Sequence, residues 1–270
     1  MTLSPESVRA FYSRVFSEFA DEYRSRHDQV RSEGRQRALE LLAAHPSELI
    51  LDLACGPGNL TAELAAAGAR VIGADIAGGM LRVAARQAPT ARLARMDMER
   101  LGVRDGVFDG VVCGHGLQFA SDLDRALVEA CRVLRPGGRL VASIPAGVRS
   151  RLLACLVVRA ADRCLNPPPD VMAAGDRKRL ADPDALRGAA LAAGFGRAEV
   201  EREPTVARWE SPGAFAGLAA RWWDAAVRAE GLPPDRLERY RDELGATLIR
   251  HLGDGPVELL GMDNVLRAWR

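Results

Sequence analysis

The sequence predicts a doubly wound α/β fold, in which helices cover both faces of a mainly parallel sheet. Three observations carry that expectation. Five short apolar runs, Leu49–Leu53, Arg70–Asp75, Arg92–Asp97, Gly110–Cys113 and Arg139–Ser143, alternate with segments of helical periodicity. The first run leads straight into a turn holding Gly56 and Gly58, and then into a helix. The chain has 270 residues, 48% of them hydrophobic, and a chain of that size buries roughly 70 to 75% of its unfolded surface without covalent staples.

Each element has its own reason. Ser4-Pro5-Glu6-Ser7 sets a capping serine before a proline suited to a first helical turn. Val8, Phe11, Tyr12, Val15, Phe16 and Phe19 then recur at the spacing of a helix with one buried face. A second helix is expected from Val30 to Ala44, ending before Pro46. The five apolar runs are compact enough for strands buried on both faces. Beyond Ile144 a helix is expected over Arg149–Arg163, stopped by Asn166-Pro167-Pro168-Pro169-Asp170, which should form a surface loop. Asp182-Pro183-Asp184 opens another helix that closes at Gly194, and Ala198–Arg202 reads as a sixth strand. Ser211-Pro212 opens a long helix through Trp222 and Trp223, broken at Gly231–Pro234, and a further helix continues to about Leu252. Val257–Trp269 alternates as a final edge strand, the seventh.

Charge and composition exclude several classes. With 37 basic against 36 acidic side chains the net charge is +1, so no cationic excess is on offer to a polyanion, and nucleic acid is not the expected partner. Met1–Ala10 is polar where a signal peptide needs an apolar segment, and no stretch approaches the roughly 20 apolar residues of a membrane span. A cytoplasmic protein is the expectation. Cys55, Cys113, Cys131, Cys155 and Cys164 are odd in number and form no CxxC pair, which points to reduced thiols and to no metal site.

The strongest local signal is Leu51-Asp52-Leu53-Ala54-Cys55-Gly56-Pro57-Gly58-Asn59-Leu60, a strand, a glycine turn and a helix start. Glycines let the backbone approach a ligand, and the helix N-terminus offers unpaired N–H groups, so a nucleotide-like ligand is expected there. A dinucleotide fingerprint needs a third glycine where Thr61 stands. Asp52 also places a negative charge where a pyrophosphate would be repelled. A cationic ligand suits the turn better.

The turn resembles motif I of class I S-adenosylmethionine-dependent methyltransferases, and the family's other motifs follow in order. Asp75 matches the acid that receives both ribose hydroxyls, Asp97-Met98 resembles the pair that reads the adenine, Phe108–Gly114 is similar to the fourth strand, and Arg132–Leu140 resembles the turn into the fifth. The resemblance covers Leu49–Ser143 and is nearest the branch of quinone and small-molecule methyltransferases. It implies a Rossmann-like, seven-stranded sheet in a single methyltransferase domain. Within it, 1–45 form an N-terminal helical lid, 46–147 the cofactor-binding core, 148–255 a partly helical substrate cap with the sixth strand, and 256–270 the final strand. It also implies that Asp52, Ala54, Gly56, Gly58, Asp75, Ile76, Met80, Asp97, Met98, Gly114 and His115 hold S-adenosyl-L-methionine. A homodimer stays open.

The reacting centre is less specified. Methyl transfer from a sulfonium needs alignment and exclusion of water, and a base only where the nucleophile must lose a proton of high pKa. His115, in Gly114-His115-Gly116-Leu117-Gln118, is the first candidate for base or substrate orienter, with a loop-capping role as the alternative. Tyr12, Tyr23 and His27 belong to the segment that could cover the cofactor, and plain packing or a solvated surface is the other reading. Gln118 and Phe119 would line the path to substrate. Trp222 and Trp223, in the C-terminal insertion, would favour an apolar or aromatic small molecule or else fasten the insertion to the sheet. The function expected is methylation at carbon, oxygen or nitrogen of a small metabolite, in secondary-metabolite or quinone-type biosynthesis. The alternatives are a cyclisation or rearrangement on the same cofactor-binding fold, or a non-catalytic cofactor-binding subunit.

Overall fold

Strands buried on both faces need apolar residues at successive positions, and Leu49-Ile50-Leu51-Asp52-Leu53 meets that need: β1 occupies Leu49–Leu53. A computed structural model of the chain describes residues 4–21, 23, 33–148, 151–165, 177–229 and 233–270. The chain divides into two compact units, one made of Pro5–Gly147, Gly175–Thr205 and Met262–Arg270, the other of Met1–Ser4, Val148–Ala174 and Val206–Gly261. The expected 148–255 segment is thus shared between them.

In the larger unit α1 (Pro5–Glu18) and α2 (Glu33–Leu42) precede the sheet. The alternation then runs β1, α3 (Asn59–Ala66), β2 (Arg70–Asp75), α4 (Gly78–Gln87), β3 (Arg92–Arg95) and β4 (Phe108–Gly114). It continues through a short 3-10 turn (Leu117–Phe119), α5 (Leu123–Val133) and β5 (Leu134–Val148). Further along come α6 (Arg151–Cys164), α7 (Arg177–Ala181), α8 (Pro183–Ala192) and β6 (Arg197–Trp209). The chain ends with α9 (Pro212–Ala229), α10 (Asp235–Leu252) and β7 (Val257–Trp269).

The seven strands form one sheet in the order β3-β2-β1-β4-β5-β7-β6. Pairing is parallel from β3 through β5. The α/β class expected from the alternation holds. One core packs α5 and α8 on the sheet through Leu123, Leu127, Val133, Leu186 and Phe195, and a second packs α2 and α3 through Ala38, Leu42, Leu60 and Leu64. The smaller unit has its own core, in which α6, α9 and α10 bring Leu156, Phe215, Tyr240, Leu244 and Leu248 together. Trp209 meets Phe215 edge to face, with ring centroids 4.9 Å apart.

Three expectations are corrected. β7 is not an edge strand; it lies between β5 and β6, and Val265, Leu266 and Ala268 are fully buried, so the alternation came from a strand covered on both sides. β5 takes in Arg135-Pro136-Gly137-Gly138, expected as a turn, because the last residue pairs with it: Gly137 donates its N–H to the Arg270 carbonyl at 2.9 Å and Arg270 donates to the Gly138 carbonyl at 3.0 Å. β3 stops at Arg95, two residues early, where the Asp97 carboxylate accepts the Glu99 N–H at 2.9 Å and turns the chain. The expected loop at Asn166–Asp170 lies outside the described residues.

Gly58 shows how tightly the first helices meet. Its φ of +90° is open to glycine, and an added Cβ would lie 2.9 Å from Ala84 Cβ in α4. Gly58→Ala should therefore cost about 1 to 3 kcal/mol through overpacking and backbone strain, seen as a lower urea midpoint at unchanged slope.

Candidate active site

The strand order places the ends of β2, β1 and β4 side by side, and the direction of winding reverses between β1 and β4, where doubly wound sheets bind their ligands. Asp52, the fourth residue of β1, is 1% exposed. Its Oδ2 accepts the Thr61 hydroxyl at 2.5 Å, while its Oδ1 has no hydrogen-bond partner among the described residues. Burial raises the carboxyl to about 7; the Thr61 bond opposes the rise and the charge of Asp75 adds to it. Thr61, which breaks a dinucleotide fingerprint, is here the donor that holds the buried acid.

Asp75, the last residue of β2, joins three segments. Its Oδ2 accepts the Gly56 N–H at 2.9 Å and its Oδ1 the Ala77 N–H at 2.8 Å. Burial raises its carboxyl above the ordinary range, and the backbone N–H groups of Ala77, Gly56 and Ile76 pull it back. The chain after β1 turns through left-handed conformations at Ala54 (φ 56°) and Gly56 (φ 54°), and the chain after β4 does so at His115 (φ 58°). The two turns touch: a Cβ at Gly116 would lie 2.6 Å from Ala54 Cβ and 2.6 Å from Cys113 Sγ.

A cavity opens between these turns, and the start of α3 borders it through Asn59 and Leu60. From α1, Tyr12 and Phe16 enter the wall and meet Phe119 edge to face, at 5.1 and 5.0 Å between ring centroids. Tyr23 packs on Phe16 at 6.0 Å, and burial pushes its hydroxyl upward. Arg9 binds the acids that follow β3, with Nε 3.2 Å from Asp97 Oδ2 and Nη1 3.0 Å from Glu99 Oε2. Glu99 is itself held by the Ser121 N–H at 2.5 Å and the Ser121 hydroxyl at 2.7 Å.

The far side combines charge and histidine. The His115 ring borders the cavity, and its Nε2 lies 2.6 Å from Oδ2 of Asp263, a residue of β7 with a side chain 4% exposed. Arg35, near the start of α2, also lines the cavity. Burial lowers its guanidinium, and Tyr23, Asp263 and Glu63 restore part of the loss. Cys113, at the end of β4, is buried with its thiol pushed up to about 12.

The structure brings together Asp52, Ala54, Gly56, Asp75, Ile76, Met80, Asp97, Met98, Gly114 and His115 around this one cavity, with Tyr12, Tyr23 and Phe119. Gly58 stands outside the wall, since its place against Ala84 is a packing role. Gln118 also stands outside it, and its Nε2 donates to the His115 carbonyl at 2.7 Å. His27 and the side chains of Trp222 and Trp223 lie outside the described residues. Arg9, Phe16, Arg35, Glu99 and Asp263 were not singled out in the sequence. In a chain so rich in arginine, helical Arg9 and Arg35 look like any solvated face. Gly34 was the one available hint of a close approach at α2, because a Cβ there would lie 2.1 Å from Asp263 Oδ2.

A family model described as a methyltransferase domain matches residues 51–142. A demethylmenaquinone methyltransferase of Beutenbergia cavernae is 41% identical over 107 residues, covering 40% of this chain and 45% of that protein. One of Thermus thermophilus is 42% identical over 113 residues, covering 40% and 51%. The chain thus spans about half the length of these curated relatives. The crystal structure of the YcgJ protein from Bacillus subtilis superposes with a TM-score of 0.58 at 15% identity, over 88% of this chain and 97% of that one, which shows a shared fold.

The buried acid makes stability depend on pH. A carboxyl raised from 3.8 to about 7 keeps its proton in the folded state after the unfolded chain has lost it, so this contribution is complete below 3.8 and is lost as pH rises to about 7. Asp75, raised by burial as well, acts in the same sense. Thermal melting without ligand should show Asp52→Asn losing less stability than the parent over that window. Parallel pH profiles of the two proteins would contradict the assignment.

Proposed function

We propose, from the match of residues 51–142 to a methyltransferase-domain model, that the chain is a class I S-adenosylmethionine-dependent enzyme that methylates a small apolar or aromatic metabolite of quinone type. One observation carries the reading: Asp52, Asp75 and Asp97, from the ends of three neighbouring strands and their loops, border a single cavity whose other wall is aromatic.

The donor set suits S-adenosylmethionine. Asp52 Oδ1 is a buried acceptor without a partner among the described residues, fitted to an ammonium group. Asp75 takes the Gly56 N–H on one oxygen and the Ala77 N–H on the other, and a carboxylate so oriented is a suitable acceptor for ligand hydroxyls. Asp97, ion-paired with Arg9, lines the cavity together with the apolar Met98 and Met80, which supports its reading as the acceptor of an exocyclic amine. When bound, the cofactor supplies a methyl group already activated on a sulfonium. The protein then has to orient the acceptor and keep water out. Tyr12, Phe16 and Phe119 give the acceptor an aromatic wall of rings packed edge to face, which supports an apolar, ring-shaped substrate. We assign to His115, which lines the same cavity, the role of taking a proton from it. The relatives named for demethylmenaquinone support the quinone class, and five free cysteines are in keeping with a reducing cytoplasmic setting.

Titration calorimetry tests the cofactor: S-adenosylhomocysteine should bind at micromolar strength and NAD should not, and the reverse would sink the proposal. Asp75→Ala should weaken S-adenosylhomocysteine by about 1 to 3 kcal/mol, the scale of hydrogen bonds lost from a buried charged group. Unchanged affinity would take Asp75 out of the site.

A further inference from the structure

We infer that Asp263 is a positioning residue that fixes the His115 ring as a proton acceptor at Nδ1, matched to an acceptor molecule with an acidic O–H or C–H. The inference rests on the methyltransferase reading for its purpose, and on the contact between the two side chains for its substance. Nε2 of His115 and Oδ2 of Asp263 are 2.6 Å apart, although 148 positions separate them in sequence. An ionised carboxylate only accepts hydrogen bonds, so the shared proton belongs on Nε2. In the neutral ring the lone pair is then at Nδ1, and the ring borders the cavity.

Both ends of the pair are held. The His115 N–H donates to the Ser143 carbonyl of β5 at 2.9 Å, and the His115 carbonyl accepts Gln118 Nε2 at 2.7 Å, so the left-handed backbone that aims the ring is anchored twice. Asp263 is pressed by α2, where Gly34 leaves no room for a Cβ, and the next residue, Arg35, attracts the carboxylate. The other titratable groups of this cluster are Tyr23 and Glu63, which act on Arg35, and Asp52 and Asp75, which act on Cys113 two residues before His115. Burial keeps Tyr23 protonated, so Arg35 and Asp263 are left as opposed charges within this cluster.

The chemistry that follows is one proton transfer. The acceptor's O–H or C–H bond breaks, its electron pair stays on that atom as the nucleophile, and the proton goes to Nδ1. The imidazolium so formed carries a charge that Asp263 balances at once. An amine with a free lone pair needs no such device, so the pair favours phenol-like, hydroquinone-like or activated-carbon acceptors.

Long-range 1H–15N NMR of the full chain saturated with S-adenosylhomocysteine, with His115 assigned through His115→Gln, tests this without an acceptor. The ring should be the Nε2–H tautomer, and an Nδ1–H tautomer overturns the inference. In Asp263→Leu, which removes the acceptor, the ring should lose its Nε2–H preference and populate the Nδ1–H form as well, with S-adenosylhomocysteine affinity within about twofold of the parent. An unchanged tautomer preference overturns the inference as well. If Asp263→Leu does not fold, the tautomer of the parent decides alone. Failure of S-adenosylhomocysteine to bind, with the Nε2–H tautomer present in the free chain, would instead strike the functional reading.

Discussion

The Asp75 carboxylate holds the loop after β1 against the start of α4, since one oxygen takes the Gly56 N–H at 2.9 Å and the other the Ala77 N–H at 2.8 Å. Hydrogen bonds to a charged acceptor are worth roughly 1.5 to 3 kcal/mol each, more than either short loop could gain from its own packing. The left-handed turn at Gly56, the opening of α3 and the direction of α4 all follow from that junction. It is also why the acid can serve a ligand without moving. Its backbone partners hold it in place, so the fold has already ordered the group that a ligand would otherwise have to order.

Charge in the site is arranged by strand. Asp52 lies deep and partly unpaired, Asp75 is held by backbone N–H groups, and Asp97 and Glu99 are neutralised by Arg9. The depth of Asp52 makes its charge expensive until a cation arrives, which is the physical content of a carboxyl raised to about 7. A ligand with a positive group at that end and a diol and an amine further along meets three acids, each with a different degree of compensation. An anionic ligand would meet them as a barrier. The near-neutral total charge of the chain therefore hides a strongly patterned interior.

Legibility in the sequence tracked the range of the interactions. β1 and β2 occupy Leu49–Leu53 and Arg70–Asp75, as their apolar runs specify, because burial on both faces is a local property of five or six residues. Asp52, Asp75 and Asp97 were singled out by their resemblance to family motifs, and they stand at or just beyond the ends of β1, β2 and β3. Gly58 was legible as a glycine, while its packing partner Ala84, which it must clear, belongs to the next helix and leaves no local cue. Asp263 was invisible: one acid in a strand has no local signature, and its meaning comes from a histidine 148 positions away. The same holds for β7, whose alternation cannot tell an edge from a strand inserted between two others.

Two residues other than glycine, Ala54 and His115, hold left-handed backbone at the point where the winding reverses. Such conformations cost on the order of 1 to 3 kcal/mol each and persist only where the surroundings over-determine them. Here the Cys55 N–H reaches the Ala74 carbonyl at 3.0 Å and the His115 N–H the Ser143 carbonyl at 2.9 Å, so each strained turn is tied to a neighbouring strand. Gly116 lets the two turns close on each other, with Ala54 and Cys113 filling the space a side chain would need. Histidine tolerates this conformation better than most residues. Relaxing His115 to an extended φ would swing its Cβ away and open the 2.6 Å contact with Asp263. Strain, hydrogen bonding and the aim of the ring are thus one arrangement.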